Sequence, residues 1–191
     1  MTISCAVLAG GESRRMGRDK ARVEFDGRPL VLRIVERLET VSDDVFVVAR
    51  AGSNLASLGS RVYTDACDAR TPLAGILTAL RVAVHPLVFV CATDMPHVSV
   101  ELIALLVSHA VSADVVVPQR DGRLEPLHAV WSSTVAGDVT TALDAGERAV
   151  HRVLARLNVA TIAEDEWCAV DPSGASFTNI NTPDELVAAR P

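Results

Sequence analysis

Short apolar runs recur along this chain, separated by segments whose apolar residues repeat at helical spacing. Residues 3–8 (ISCAVL), 45–49 (VFVVA), 87–91 (LVFVC) and 114–117 (DVVV) show little of the polar alternation of a strand with one wet face. They read as strands buried on both faces. Residues 127–131 and 159–163 read as two further strands. Helices are predicted over 29–41 and 72–84, each opened by a proline, and over 99–111, where Ser99 is placed to cap. Residues 139–157 read as helical with an interruption at Gly146, and 182–190 as a tail helix with Thr182 as cap and Pro183 in its first turn. Strands that alternate with helices and are apolar on both sides predict a mostly parallel sheet covered on both faces, a Rossmann-like three-layer α/β/α fold.

Such sheets bind ligands beyond the carboxyl ends of their strands. Three features fall there: the loop after the first run, the region of Arg50 after the second, and Asp94 after the third. The length of 191 residues suits one domain over 1–191. A net charge of −6 disfavours a general nucleic-acid binder, and any anionic ligand then needs a local cluster of positive charge. No apolar stretch approaches the length of a membrane span, and the apolar N-terminal run lacks the basic flank of a signal peptide, so a cytoplasmic protein without membrane contact is expected. Cys5, Cys67, Cys91 and Cys168 form no C-x-x-C pair and read as buried reduced thiols.

The positive cluster lies in residues 8–20, LAGGESRRMGRDK. Gly10 and Gly11 permit close approach of backbone to a ligand, and Arg14, Arg15, Arg18 and Lys20 crowd cations into one turn. Lys20 is the single lysine of the chain, which points to a position where a compact ammonium is needed in place of a guanidinium fork. The loop is neither a Walker A motif nor a G-x-G-x-x-G fingerprint. Polyphosphate is its natural partner; a merely solvated basic loop is the alternative. Asp94, in ATDMP, is a carboxylate at the end of a charge-free run, suited to a hard cation such as Mg²⁺ or, more plainly, to a turn before Pro96. Asp65, Asp68 and Arg70 stand before the TPLAG turn as candidates for a sugar or base, or as loop decoration. Glu125, Asn179 and Asn181 are polar residues beside apolar ones, and His128 lies beside a candidate second-substrate segment.

These residues carry a family likeness. LAGGESRRMGRDK followed by FDGRPL resembles the opening signature of the molybdenum cofactor guanylyltransferases, the MobA family, and TPLAG, ATDMP and NINTP resemble that family's later landmarks in the same order. The resemblance implies a nucleotide-diphospho-sugar-transferase type of fold and transfer of GMP from GTP to molybdopterin-bound molybdenum cofactor. It implies that Leu8, Ala9, Gly10, Lys20 and Asp65 bind GTP, that Asp94 binds GTP and Mg²⁺ together, and that Asn179 and Asn181 face the pterin. Transient contacts with cofactor-delivering and cofactor-receiving proteins go with that role. The chain departs from the family at Thr71, where glycine is usual, and near Arg50, where the family often has an asparagine.

The chemistry is coherent with this composition. The acceptor is a phosphate monoester whose second pKa is about 6, so it is mostly ionised at neutral pH and needs no strong base. The difficulty is bringing two anions together, which calls for Mg²⁺ at Asp94 and for Lys20 and Arg15 around the α-phosphorus and the departing pyrophosphate. Cytidylyl transfer, nucleotide transfer to a sugar or alditol phosphate, and a non-catalytic nucleotide-binding adaptor are the competing functions.

Overall fold

The computed structural model describes residues 2–10, 23–25, 27–53, 55–65, 67, 69–180 and 185. In chain order its elements are β1 (Ser4–Ala9), a small hairpin of β2 (Glu24–Phe25) and β3 (Arg28–Pro29), α1 (Leu30–Leu38), β4 (Asp44–Ala49), β5 (Val62–Thr64), α2 (Pro72–Val82) and β6 (Leu87–Ala92). There follow α3 (Val100–Ser108), β7 (Val115–Arg120), β8 (Arg123–Leu124), β9 (His128–Ser132), α4 (Ala136–Asp144), α5 (Val150–Leu154), β10 (Val159–Ile162) and α6 (Glu164–Trp167). The main sheet runs β10-β7-β9-β6-β1-β4-β5, with β8 paired to β7. β9 is antiparallel to both its neighbours, whereas β1 is parallel to β4 and β6, β4 to β5, and β7 to β10. The mixed but mostly parallel sheet is the expected architecture.

Strand periodicity builds the layers. On β1, Cys5 and Val7 join Val31 and Ile34 of α1 and Leu102, Ile103 and Leu106 of α3 on one face. Ala6 and Leu8 join Leu73, Ile76 and Leu77 of α2 and Val139 of α4 on the other. Both faces of the central strands are thus covered, which is why their sequence is apolar throughout. Thr71 caps α2 by accepting from the Leu73 N–H at 3.2 Å, with Pro72 in the first turn. Ser99 caps α3 through the Leu102 N–H at 3.1 Å.

Several expectations gain detail or change. The segment 139–157 carries the expected interruption at Gly146, which separates α4 from α5 and sits at φ +83°, a left-handed conformation that glycine adopts without strain. The hairpin of β2 and β3, the short strands β5 and β8, and α6 carry too few residues for a periodic signal. Cys5 and Cys91 are buried, but Cys67 is exposed and Cys168 half-buried, so the buried-thiol reading holds for only two of the four; all four are free. Among the described residues no helix is long and apolar enough to cross a membrane. The expected tail helix at 182–190 lies outside the described residues except for Glu185, which is helical.

Candidate nucleotide-transfer site

Four strand ends meet along one rim. Leu8 pairs in register with Ala92, Ala9 with Ala49, and Ala49 with Thr64. Gly10, Arg50, Asp65 and Asp94 therefore emerge on the same edge of the sheet. Two hydrogen bonds fasten β1 to the turn beyond β6: the Thr93 N–H and the Thr93 hydroxyl both donate to the Leu8 carbonyl, at 3.2 and 3.0 Å. The Asp65 N–H donates to the Ala49 carbonyl at 2.9 Å, continuing the β4–β5 pairing to the carboxylate-bearing residue.

The β1 exit is crowded. A Cβ on Gly10 would lie 3.6 Å from Asp65 Oδ2 and 3.8 Å from Arg50 Cγ. A Cβ on Gly75, in α2, would come within 3.2 Å of both Leu8 methyl carbons and 3.6 Å of Asp65 Oδ1. Gly75 is thus the residue that lets α2 approach the start of the loop, which gives TPLAG a physical reason. Asp65 is half-buried, and burial pushes its carboxyl above the ordinary carboxylate value, opposed by the positive charge of Arg50. Beside it opens a cavity of about 290 Å³ lined by Arg50, Thr64, Asp65, Cys67 and Arg70 among others. Arg50 adjoins both Gly10 and Asp65, a placement that its position after the second strand hinted at and the family pattern did not.

On the other side of Asp94 the chain folds back. The Ile180 N–H donates to the Asp94 carbonyl at 2.8 Å, so the tail segment is stitched to the β6 turn. Asn179 is exposed between the buried side chains of Phe177 and Ile180. The segment is shaped by Asp171, itself buried, whose carboxylate accepts from the N–H groups of Ala175 and Ser176 at 3.3 and 3.0 Å. Arg120 Nη1 donates to the Phe177 carbonyl at 3.1 Å. Because β9 runs against its neighbours, its first residues join this rim: the Ala92 N–H donates to the Leu127 carbonyl at 3.1 Å.

Leu8, Ala9, Gly10, Asp65, Asp94 and Asn179 are therefore gathered along one edge. Gly11, Arg14, Arg15, Arg18, Lys20, Asp68 and Asn181 lie outside the described residues. His128 is fully buried between Phe89 and Phe177, at ring distances of 5.0 and 5.3 Å, and neither ring nitrogen has a partner among the described residues. Burial lowers its pKa to about 4, with Asp171 opposing, so it is a neutral core residue walled off from any second substrate. Asp94 is partly exposed, and among the described residues no group of three or more His, Cys, Asp or Glu is gathered. Asp94 as a partly exposed rim carboxylate fits a hard divalent cation, since an ion such as Mg²⁺ binds through one or two carboxylates plus phosphate oxygens and water.

Residues 5–161 match the family described as MobA-like NTP transferase domain. The chain is 36% identical over 185 residues to a molybdenum cofactor guanylyltransferase of Desulfosudis oleivorans, covering 96% of this chain and 92% of that protein. It is 39% identical over 183 residues to a probable molybdenum cofactor guanylyltransferase of Mycobacterium bovis, covering 92% and 87%. Its fold is similar to that of the molybdopterin-guanine dinucleotide biosynthesis protein A of Archaeoglobus fulgidus, with a TM-score of 0.86 and 30% identity over 98% of this chain and 96% of that one. The fold alone is also shared with a 2-C-methyl-D-erythritol 4-phosphate cytidylyltransferase of Thermus thermophilus, at a TM-score of 0.73 and 21% identity over 99% and 97%. On a match that spans most of its length and relatives well above 30% identity, the chain belongs to the MobA-like NTP transferase family, a family of nucleotidyltransferases.

Proposed function

We propose that this chain transfers GMP from GTP to the phosphate of molybdopterin-bound molybdenum cofactor, releasing pyrophosphate. The observation that carries the reading is the double hydrogen bond from Thr93 to the Leu8 carbonyl, which holds the start of the glycine- and arginine-rich loop beside the turn bearing Asp94. A triphosphate bound by that loop lies within reach of a cation at Asp94.

In the proposed reaction an oxygen of the acceptor phosphate attacks the α-phosphorus of GTP. The bond from the α-phosphorus to the bridging oxygen breaks, and pyrophosphate leaves with the electron pair. Backbone groups of Leu8, Ala9, Gly10 and Gly11 line the triphosphate, and Lys20 and Arg15 meet the charge that develops on the equatorial and leaving oxygens. Asp94 would hold Mg²⁺, which would supply charge neutralisation for the approach of the two anions. Asp65 contacts the nucleoside on the β5 side, and Asn179 and Asn181 face the pterin on the opposite side. The remaining partners of this reading are proteins that deliver molybdopterin and receive the product, with nucleic acid and membrane taking no part.

The test is turnover with molybdopterin as acceptor and each nucleoside triphosphate in turn, read as pyrophosphate release in magnesium. GTP is expected to exceed CTP, ATP and UTP by at least roughly tenfold in kcat/KM, the discrimination attainable where hydrogen bonds to the base are made or left unpaired. A preference for CTP would replace guanylyl by cytidylyl transfer.

A further inference from the structure

Nucleotide transfer as described leaves Arg123 and Glu125 without a task. Glu125 lies between β8 and β9 and is half-buried, yet no hydrogen bond or ion pair of its carboxylate is found among the described residues. Its backbone is fixed: its N–H donates to the Pro118 carbonyl at 3.0 Å, and its carbonyl accepts from the His128 N–H at 2.9 Å. Arg123, on β8, is exposed and its guanidinium is likewise unengaged among the described residues. In an extended segment residues two apart share a side. That closeness is felt electrostatically: burial pushes the Glu125 carboxyl up, and the positive charges of Arg120 and Arg123 oppose it. Arg120 is already committed to the Phe177 carbonyl, so Arg123 is the cation left to meet a ligand.

Topology places this pair on the rim. The β6–β9 register ends with Cys91 opposite His128, and the bond from the Ala92 N–H to the Leu127 carbonyl carries the pairing one residue further. Glu125 itself pairs with Pro118 near the carboxyl end of β7, and the turn closed by the His128 N–H on the Glu125 carbonyl joins it to the start of β9, beside the exit of β6. The cavity beside Asp65 lies across β1 and β4 from here, so a nucleotide reaching from that cavity to Asp94 leaves the β9 side for the second substrate.

We propose that Arg123 and Glu125 form the acceptor subsite, reading a heterocycle that presents a ring carbonyl, a ring N–H and an exocyclic amino group in a row. The guanidinium donates to the carbonyl, and the two carboxylate oxygens accept from the ring N–H and the amino group. A pterin carries this edge. The inference rests on the acceptor reading above, and it adds the residues that recognise the ring.

Guanine carries the same edge, so the experiment separates the two sources. A 6-hydroxymethylpterin monophosphate is titrated into the protein without nucleotide, followed by quenching of the pterin fluorescence, and GTP binding is measured separately. Glu125→Gln keeps the shape but replaces one acceptor by a donor, and Arg123→Ala removes the guanidinium from an exposed position. Each variant is expected to weaken pterin binding by roughly tenfold or more, as loss of a charged hydrogen bond does, while GTP affinity stays within about twofold. Unchanged pterin binding, no pterin binding by the unaltered protein, or a loss of GTP affinity in its place would overturn the subsite. Should Glu125→Gln fail to fold, the Arg123→Ala titration decides alone. A protein that binds the pterin but yields no guanylylated product would count against the transferase reading and leave the subsite standing.

Discussion

Asp94 is the residue on which the proposed chemistry is most exposed to test. Its backbone is held from both sides, by the Thr93 bonds to Leu8 and by the Ile180 N–H on its own carbonyl. Replacing the carboxylate by an amide therefore changes charge while the surrounding chain keeps its anchors. Asp94→Asn is expected to lower kcat by at least roughly a hundredfold while the affinity for GTP changes by less than tenfold, because the lost cation contact matters most as charge develops at the α-phosphorus. Single-turnover kinetics and equilibrium GTP binding check this split. Normal turnover in magnesium would instead remove Asp94 from the proposed cation site. Asp94 was legible in the sequence as an acid ending an uncharged run. Arg50 and Gly75 were less so: Arg50 comes beside Asp65 through the pairing of β4 with β5, and Gly75 is needed where α2 approaches Leu8, neither of which residue spacing encodes. His128 was misleading for the same reason, since a polar residue next to an apolar run can face a ligand or, as here, the aromatic core.

At the scale of elements, the parallel strands are fastened at the end remote from the site by one carboxylate. Asp44 opens β4 and is buried; its Oδ2 accepts from the Ser4 hydroxyl of β1 and from the Val84 N–H at 2.9 Å, and its Oδ1 from Arg61 at 2.7 Å ahead of β5. The Ser4 hydroxyl in turn accepts from the His85 N–H at 3.0 Å, just before β6. Burial alone would raise the Asp44 carboxyl, but the bonds from Ser4, Val84 and Arg61 outweigh it and hold it below its ordinary 3.8. A depressed folded pKa means that the stabilisation is fully present above the unfolded value near 3.8 and is lost as pH falls through the lower folded value. Asp44→Ala is expected to cost about 2–3 kcal/mol at neutral pH, because the buried Ser4 hydroxyl and the part-buried Val84 N–H lose a charged partner. In urea titrations repeated at decreasing pH, the gap between variant and parent should narrow below about pH 4. A gap that stays constant down to pH 2 would remove the clasp from the account. Most of the long elements were readable from period and punctuation, and helix starts at Pro72 and Ser99 fell where their caps are observed. The split of 139–157 at a left-handed glycine was marked only by the glycine itself.

Across the whole molecule, what the sequence could not supply was direction and order. An apolar run reads the same whether its strand lies parallel or antiparallel, so nothing in HAVWS announced that β9 enters the sheet reversed between β6 and β7. That reversal brings the segment before β9 to the edge where β1, β4, β5 and β6 end, which is how residues far apart in the chain come to frame one rim. A ligand bound along such a rim touches the exits of several strands at once and stabilises only the assembled sheet. Mass action then sets the size of the effect: at a hundredfold excess over Kd, about 2.7 kcal/mol. For a chain of this length that corresponds to a rise in Tm of roughly 5–10 °C. Magnesium with GTP is expected to reach this range in a thermal unfolding scan, with CTP, ATP and UTP producing smaller shifts at equal concentration. Equal shifts from all four nucleotides would mean that the rim grips triphosphate without reading the base, and guanylyl specificity would then have to arise in the chemical step.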